Sequence, residues 1–301
     1  MAEQYQPGHK EKELVKKIHA MMDLAKRARN KTTQVWRESE KLYMGEHWSG
    51  MDMPNYKNQL TLDMIANVID TQIPIMSSKP PKIDVIPVGS TDESTFVAKT
   101  LQAQIDDLWY MRDMATLVPE WLTDYLVYGT GIVKLNWNMY DDLPDCDIVD
   151  PFSFYVNPSA TKLENAQWII HMAPRPIYEI KELFPEKGKY VEPMGKLTDV
   201  QQGDKNLVQV TDTQGKETNY FDGETEAMQN LEERSLLVEV YMRDGSLDYT
   251  AEDGTNNEKV GKPKYPGGIR KICMANDIIL YDGPSRYQFL DKMNRCPYPF
   301  P

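Results

Sequence analysis

The chain has 301 residues, of which 41% are hydrophobic, with three cysteines and a formal net charge of −12. That apolar content can fill the core of one large domain or two smaller ones. It excludes disorder throughout, and Cys146, Cys273 and Cys296, odd in number and far apart, make neither a disulfide framework nor a tight metal motif. The acidic balance argues against a protein that grips nucleic acid by neutralising phosphates, and no run of about 18 apolar residues is present to span a bilayer, so no membrane partner is expected. The charge is uneven: residues 1–42 hold 10 Lys and Arg against 6 Asp and Glu, whereas 199–258 hold 15 acids and 4 bases.

In chain order, Leu14, Ile18, Met21, Ala25, Ala28, Val35 and Trp36 recur at spacings of three to four and predict a helix over 11–44. Lys16, Lys17, Lys26, Arg27 and Arg29 lie on or near its wet side, and Gly45 is placed to stop it. A polar break at 55–58 precedes a second, more buried helix that carries Leu60, Leu62, Met64, Ile65, Val68, Ile69 and Ile73 to Pro74 or just past it. Alternation over 82–87 between flanking prolines predicts an edge strand. Thr91 to Glu93 cap a third helix, which presents Phe96, Val97, Leu101, Ile105, Leu108 and Trp109. A fourth repeats the pattern with Met114, Leu117, Val118, Trp121, Leu122, Tyr125 and Leu126, antiparallel to the third and joined to it near 111–114.

After Gly129 the period changes, and 132–137, 147–149, 154–156 and 168–171 read as short strands between Asp, Pro and Asn turns. A short helix is predicted over 176–184, with Pro176 in its first turn and Pro185 stopping it. Residues 187–223 are polar and Gly-interrupted, with no element assigned. Beyond them, 225–234 is helical in composition, 236–242 is a strand, 243–268 is a polar loop, and 269–275 and 278–281 pair about a turn at Asn276 and Asp277.

Little in the chain suggests catalysis. Gly129-Thr130-Gly131 follows a helix and precedes a strand, the reverse of a phosphate-cradling loop. Asp141, Asp142, Asp145, Asp147 and Asp150 are dense enough for a divalent cation but lack calcium-loop spacing, and they read as a solvated turn. His9, His19, His47 and His171 are scattered, with no zinc-hydrolase pair, and no nucleophile elbow is present. No catalytic residue, metal site or cofactor is assigned.

The segments that carry a resemblance do so by their order. Trp36, Tyr43, Gly45 and Trp48 close the first helix. Asp124, Gly129, Gly131, Lys134 and Trp137 mark a helix that ends at a glycine and leads into a strand. Asp150, Pro151, Phe154, Pro158 and Ala160 frame the next element, and Ala166, Trp168 and Phe184-Pro185 follow. In this order, over most of 36–301, the chain resembles the portal proteins of tailed bacteriophages; Asn157 stands where the family often has an acid, and Asn can make the same turn.

The resemblance implies an α+β fold: a portal-like wing of long helices with a small β-sheet (1–185), a stem-proximal connection (186–235), and a projecting clip-like β-hairpin module (236–301). The final Cys296-Pro-Tyr-Pro-Phe-Pro, and the missing second stem helix, tunnel loop, distal wing and crown, make the sequence read as the front part of a longer portal. Further implications are a homo-oligomeric ring, usually dodecameric, at the unique capsid vertex of the virion, assembled in the host cytoplasm. Its partners would be the major capsid protein, the terminase large subunit, which would hydrolyse ATP, a tail adaptor protein, and double-stranded DNA passing through without sequence-specific binding.

Trp36, Tyr43, Trp48, Trp109 and Trp121 are the expected subunit-packing anchors. Asp244, Lys259, Lys262 and Lys264 are the expected docking-loop residues, and Glu232, Glu233 and Glu239 the expected channel charges. The alternatives are another virion adaptor or connector ring and, from a different class, a metal-dependent nucleic-acid enzyme built on the Asp141 to Asp150 cluster.

Overall fold

The computed structural model describes residues 5–48, 61–79, 83–87, 89, 91–138, 141–193, 209–211, 217–219, 234–248, 262–265, 268–285 and 298–300. In chain order the elements are α1 (His9–Tyr43), α2 (Met64–Ser77), α3 (Asp92–Met111), α4 (Met114–Tyr128), β1 (Ile132–Asn138), β2 (Leu143–Val149), β3 (Phe154–Val156), β4 (Trp168–Pro176) and α5 (Ile177–Leu183). They continue with β5 (Gln209–Thr211), β6 (Glu217–Asn219), β7 (Arg234–Arg243), β8 (Leu247–Asp248), β9 (Lys262–Pro263), β10 (Ile269–Ala275) and β11 (Ile278–Pro284). The chain divides into a sheet unit, Met1–Lys31 with Phe152–Tyr298, and a helical unit, Thr32–Pro151 with Pro299–Pro301.

The sheet unit is built on five antiparallel strands in the order β11-β10-β7-β4-β3. Side chains alternate across a pleated strand, so Ile170 and Met172, Val238 and Val240, and Ile272 and Met274 share one face. The first half of α1 covers that face with Val15, Ile18, Met21, Met22 and Ala25. On the opposite face Leu237, Cys273 and Leu280 pack with Ile180 of α5 and with Val191. With both faces covered, β7 reads as a nearly continuous apolar run and not as an alternation.

Polar contacts fix α1 on this sheet. Arg29 donates to the carbonyls of Phe152 and Phe154, and its guanidinium lies 4.0 Å from the centre of the Tyr155 ring. Arg29 is therefore a clamp on β3 and not part of the wet side. Lys187 Nζ donates to Glu11 Oε1 at 2.7 Å and to the Ile279 carbonyl at 3.0 Å. This hydrogen bond holds the Glu11 carboxyl below its ordinary range.

The strands expected to project as a separate module are the centre and one edge of this sheet: β7 pairs with β4 along nine residues and with β10 on its other side. Pairing with β4 is longer than the sequence suggested because the strand continues through Met172, Ala173 and Arg175 to Pro176. The β10–β11 turn is the expected one: Asn276 and Asp277 both take positive φ, 48° and 61°, the geometry a two-residue hairpin requires. The helix expected over 225–234 lies mainly outside the described residues, and Arg234 itself begins β7.

In the helical unit, α1 ends where Gly45 reaches φ 76°. Glu46 N–H donates back to the Lys41 carbonyl at 2.8 Å, and Gly45 N–H to Leu42 at 3.4 Å, the paired bonds that close a helix over a left-handed glycine. Asp63 caps α2 by accepting from Ala66 N–H, and Thr91 caps α3 by accepting from Ser94 N–H. Helices α2 and α3 each pack on α4, and β1 pairs with β2 in a hairpin. The expected strand at 82–87 does not form within the described 83–87. Gln102 of α3 serves that backbone instead, accepting from Val85 N–H and donating to the Ile83 carbonyl.

Candidate assembly surface

Trp36 is buried, its ring edge-on to Tyr128 with centroids 6.3 Å apart. Trp121 stacks on Tyr125 at 6.0 Å, and its indole covers Gly131 so closely that a Cβ there would lie 2.5 Å from Nε1. Close approach, and not turn geometry, is therefore what demands glycine at 131. The Tyr43 hydroxyl donates to Asp70 Oδ1 at 3.0 Å. These three expected anchors are engaged within the helical unit itself. Trp48 and Trp109 are half-buried, and the Nε1 groups of Trp48 and Trp121 are buried with no hydrogen-bond partner among the described residues.

Aliphatic surface lies elsewhere. Helix α2, expected to be the more buried helix, fully buries only Ile69, while Met64 is 71% exposed and Ile75 68%. Ile65, Val68 and Met76 are also exposed. On α3 only Ala98 is fully buried, and Phe96 (71% exposed), Val97 and Leu101 face solvent. A helix apolar round most of its circumference is normally covered on all sides, and α2 carries one charged residue, Asp70, in fourteen. That composition is the signal sequence reading used to predict burial. What it could not supply is that, among the described residues, α2 is covered on only one side.

Carboxylates gather around the Glu40–Tyr128 contact of the helical unit. Glu40 of α1 is hydrogen-bonded to Tyr128 of α4, with Asp124, Glu120 and Asp150 near enough to interact. Burial, followed by the charges of Asp150, Glu120 and Glu40, pushes Asp124 up to about 6. Burial likewise raises Glu40 and the Tyr128 phenol. Four of the five clustered aspartates make contacts with neighbouring side chains: Arg112 reaches Asp141 Oδ2 at 3.3 Å and Asp145 Oδ1 at 3.6 Å, Trp137 Nε1 donates to Asp142 at 3.0 Å, and Asn136 donates to Asp147.

Of the expected docking-loop residues, Asp244 accepts from Ser246 N–H at 3.0 Å and faces Arg270 at 3.7 Å, which makes it a turn-forming residue. Lys264 is exposed, its ammonium 5.3 Å from the centre of the Tyr265 ring. Lys262 begins β9, and Lys259 lies outside the described residues, as do Glu232 and Glu233 among the expected channel charges.

Glu239 is buried on the α5-facing side of the sheet unit, 2.7 Å from Lys271 Nζ and 3.5 Å from His171 Nδ1. Although burial works against the Lys271 charge, Tyr241 and Glu239 keep its pKa well above the ordinary value. An internal pair of this kind does not act as a bare acidic surface. The expectation for Glu239 is corrected accordingly: acidic composition along a segment does not reveal which member turns inward to meet a cation across the sheet.

Uncovered apolar surface of this kind marks a contact surface, and the class it defines is a protein that works bound to others. The model of the phage P22-like portal protein family matches residues 20–298, and the chain belongs to that family of tailed-phage portal proteins, the viral head-tail connectors. No curated protein sequence matches the chain. Among the described residues no helix is long and apolar enough to cross a membrane.

Proposed function

We propose that the chain is a structural subunit of a ring at the unique capsid vertex, forming the passage through which double-stranded DNA is packaged and later ejected. The family match across residues 20–298 carries this reading. The uncovered aliphatic side chains of α2 and α3 support it, because a ring subunit must keep apolar faces for its neighbours. On this reading the subunit contacts the major capsid protein, the terminase large subunit and a tail adaptor, and hydrolyses nothing itself.

The polar segment between β7 and β10, including β8, β9 and Lys264, is the candidate docking surface for terminase and adaptor. The acid-rich stretch 199–258 would keep passing DNA from binding firmly, since few phosphates would be neutralised; Glu239, being paired, has no part in that. Electron microscopy of the purified full chain tests the proposal. Closed rings with an open centre are expected, and a population that remains monomeric at every concentration would overturn it.

A further inference from the structure

The five-stranded sheet ends in two edges, β3 and β11. Both carry uncharged apolar runs, Phe152-Ser153-Phe154-Tyr155-Val156 at one edge and Ile278-Ile279-Leu280-Tyr281 at the other. Runs of high β-propensity without charge or proline are the ones that pair with further strands when an edge is open.

Strand pairing decides which backbone groups point outward. Asn157 N–H donates to the Trp168 carbonyl at 3.2 Å. Bonded and non-bonded residues alternate along an antiparallel strand, so Phe154 and Val156 turn their backbone groups away from β4, toward the outer side. In the β10–β11 hairpin Ala275 and Ile278 flank the two-residue turn, and Ile279, one residue on, faces away from β10 in the same way.

A cation sits at each edge. Arg29 donates to the Phe154 carbonyl and, at 2.8 Å, to that of Phe152, with its guanidinium 4.0 Å from the centre of the Tyr155 ring. At the far edge Lys187 Nζ donates to the Ile279 carbonyl at 3.0 Å and is held there by Glu11 Oε1 at 2.7 Å. Arg29 and Glu11 both belong to α1, so the helix that covers one face of the sheet also reaches its two edges.

An incoming strand would have to pull these cations from their acceptors and leave a charge buried without a partner. We infer that α1 is an edge lock: Arg29 at β3 and the Glu11–Lys187 pair at β11 keep the sheet from pairing with the edge strands of another copy, whose identical uncharged runs would otherwise stack on it. Covering the sheet face and closing its edges are thereby one event, and displacing the start of α1 opens both edges together. The inference concerns the folded chain alone and does not rest on the ring reading.

The test follows intermolecular β-sheet by infrared spectroscopy in the full-length chain, at a temperature where each variant is still folded. Arg29→Met and Lys187→Met keep an apolar stem and remove the cation. Ile18→Val loosens the fully buried centre of α1 without touching either cation, and so controls for lost stability. At equal fraction unfolded, Arg29→Met should form intermolecular β-sheet about tenfold faster than Ile18→Val, and the double variant faster still. New hydrogen-exchange protection should appear at Val156 and Ile279.

Association no faster than the control, or protection that appears away from both residues, would overturn the inference. Arg29→Lys keeps a cation and should associate more slowly than Arg29→Met; equal rates would also count against the lock. Should Arg29→Met fail to fold, Lys187→Met carries the same test at the other edge, and a rate there equal to that of Ile18→Val would overturn it.

Discussion

In the sheet unit, α1 lies on one face and α5 on the other, so neighbouring residues Ile169 and Ile170 of β4 are both fully buried although they point in opposite directions. In the helical unit, α2 and α3 each bury one residue fully and leave Met64, Ile75 and Phe96 in solvent. Both units are rich in aliphatic residues. What separates them, among the described residues, is whether a second apolar layer is in place, because a sheet or helix buries its apolar face against another element. Among the described residues the five-stranded sheet has both faces covered, whereas α2 and α3 each leave an apolar face exposed.

The most damaging test of this contrast is Glu239→Lys. It would place a second cation 2.7 Å from where Lys271 is now paired inside the sheet unit, and breaking a buried pair costs about 3 to 5 kcal/mol. Denaturant unfolding should show that loss; an unchanged midpoint would mean that the pair is not part of the core. Conversion of Ile170 to Ala should follow at about 2 to 5 kcal/mol, whereas Ile75→Ala, measured below the assembly concentration, should stay within about 0.5 kcal/mol. Comparable losses at the two positions would erase the distinction between a finished and an unfinished core.

Gly131→Ala should cost about 1 to 3 kcal/mol, since the new Cβ would meet the Trp121 indole at 2.5 Å and displace a large ring. Thermal unfolding that matches the parent would mean that the ring moves aside freely, and the packing of the helical unit is then looser than the contact suggests. The smallest effect separates the units by pH. Asp124 has a folded-state pKa of about 6 against an ordinary 3.8, so the folded unit holds a proton that the unfolded chain has released. Its contribution is fully favourable below about pH 4 and is lost as pH rises through 6.

Acidifying from pH 7 to 5 should therefore raise the melting temperature of the helical unit. Glu11 of the sheet unit, held low by Lys187, loses stability only as the pH falls further, below the ordinary 4.5. Asp124→Asn should flatten the response of the helical unit; a variant that keeps the full slope would assign the proton to Glu40.

How much was legible beforehand varies by element. Period and punctuation located α1, α3, α4, β10 and the Asn276-Asp277 turn to within a residue or two, because helix caps, left-handed turns and 3.6-residue spacing are local properties of the chain. The order of Trp36, Gly45, Trp48, Gly129, Gly131 and Trp168 was enough to point to the portal family, which matches residues 20–298. Composition also showed that α2 is apolar on most sides, but apolar composition cannot distinguish a face buried in the protomer from one kept for a neighbour.

Pairing across long sequence separations was decided only by the tertiary structure. It sets β7 between β4 and β10, and so brings residues 234–243 and 269–284 into the core with the start of α1. It also turns Glu239 inward to meet Lys271 and His171, and Arg29 to meet the carbonyls of Phe152 and Phe154. A charged residue looks the same in sequence whether its partner is water or a buried ion, and only the register of strands far apart in the chain determines which it meets.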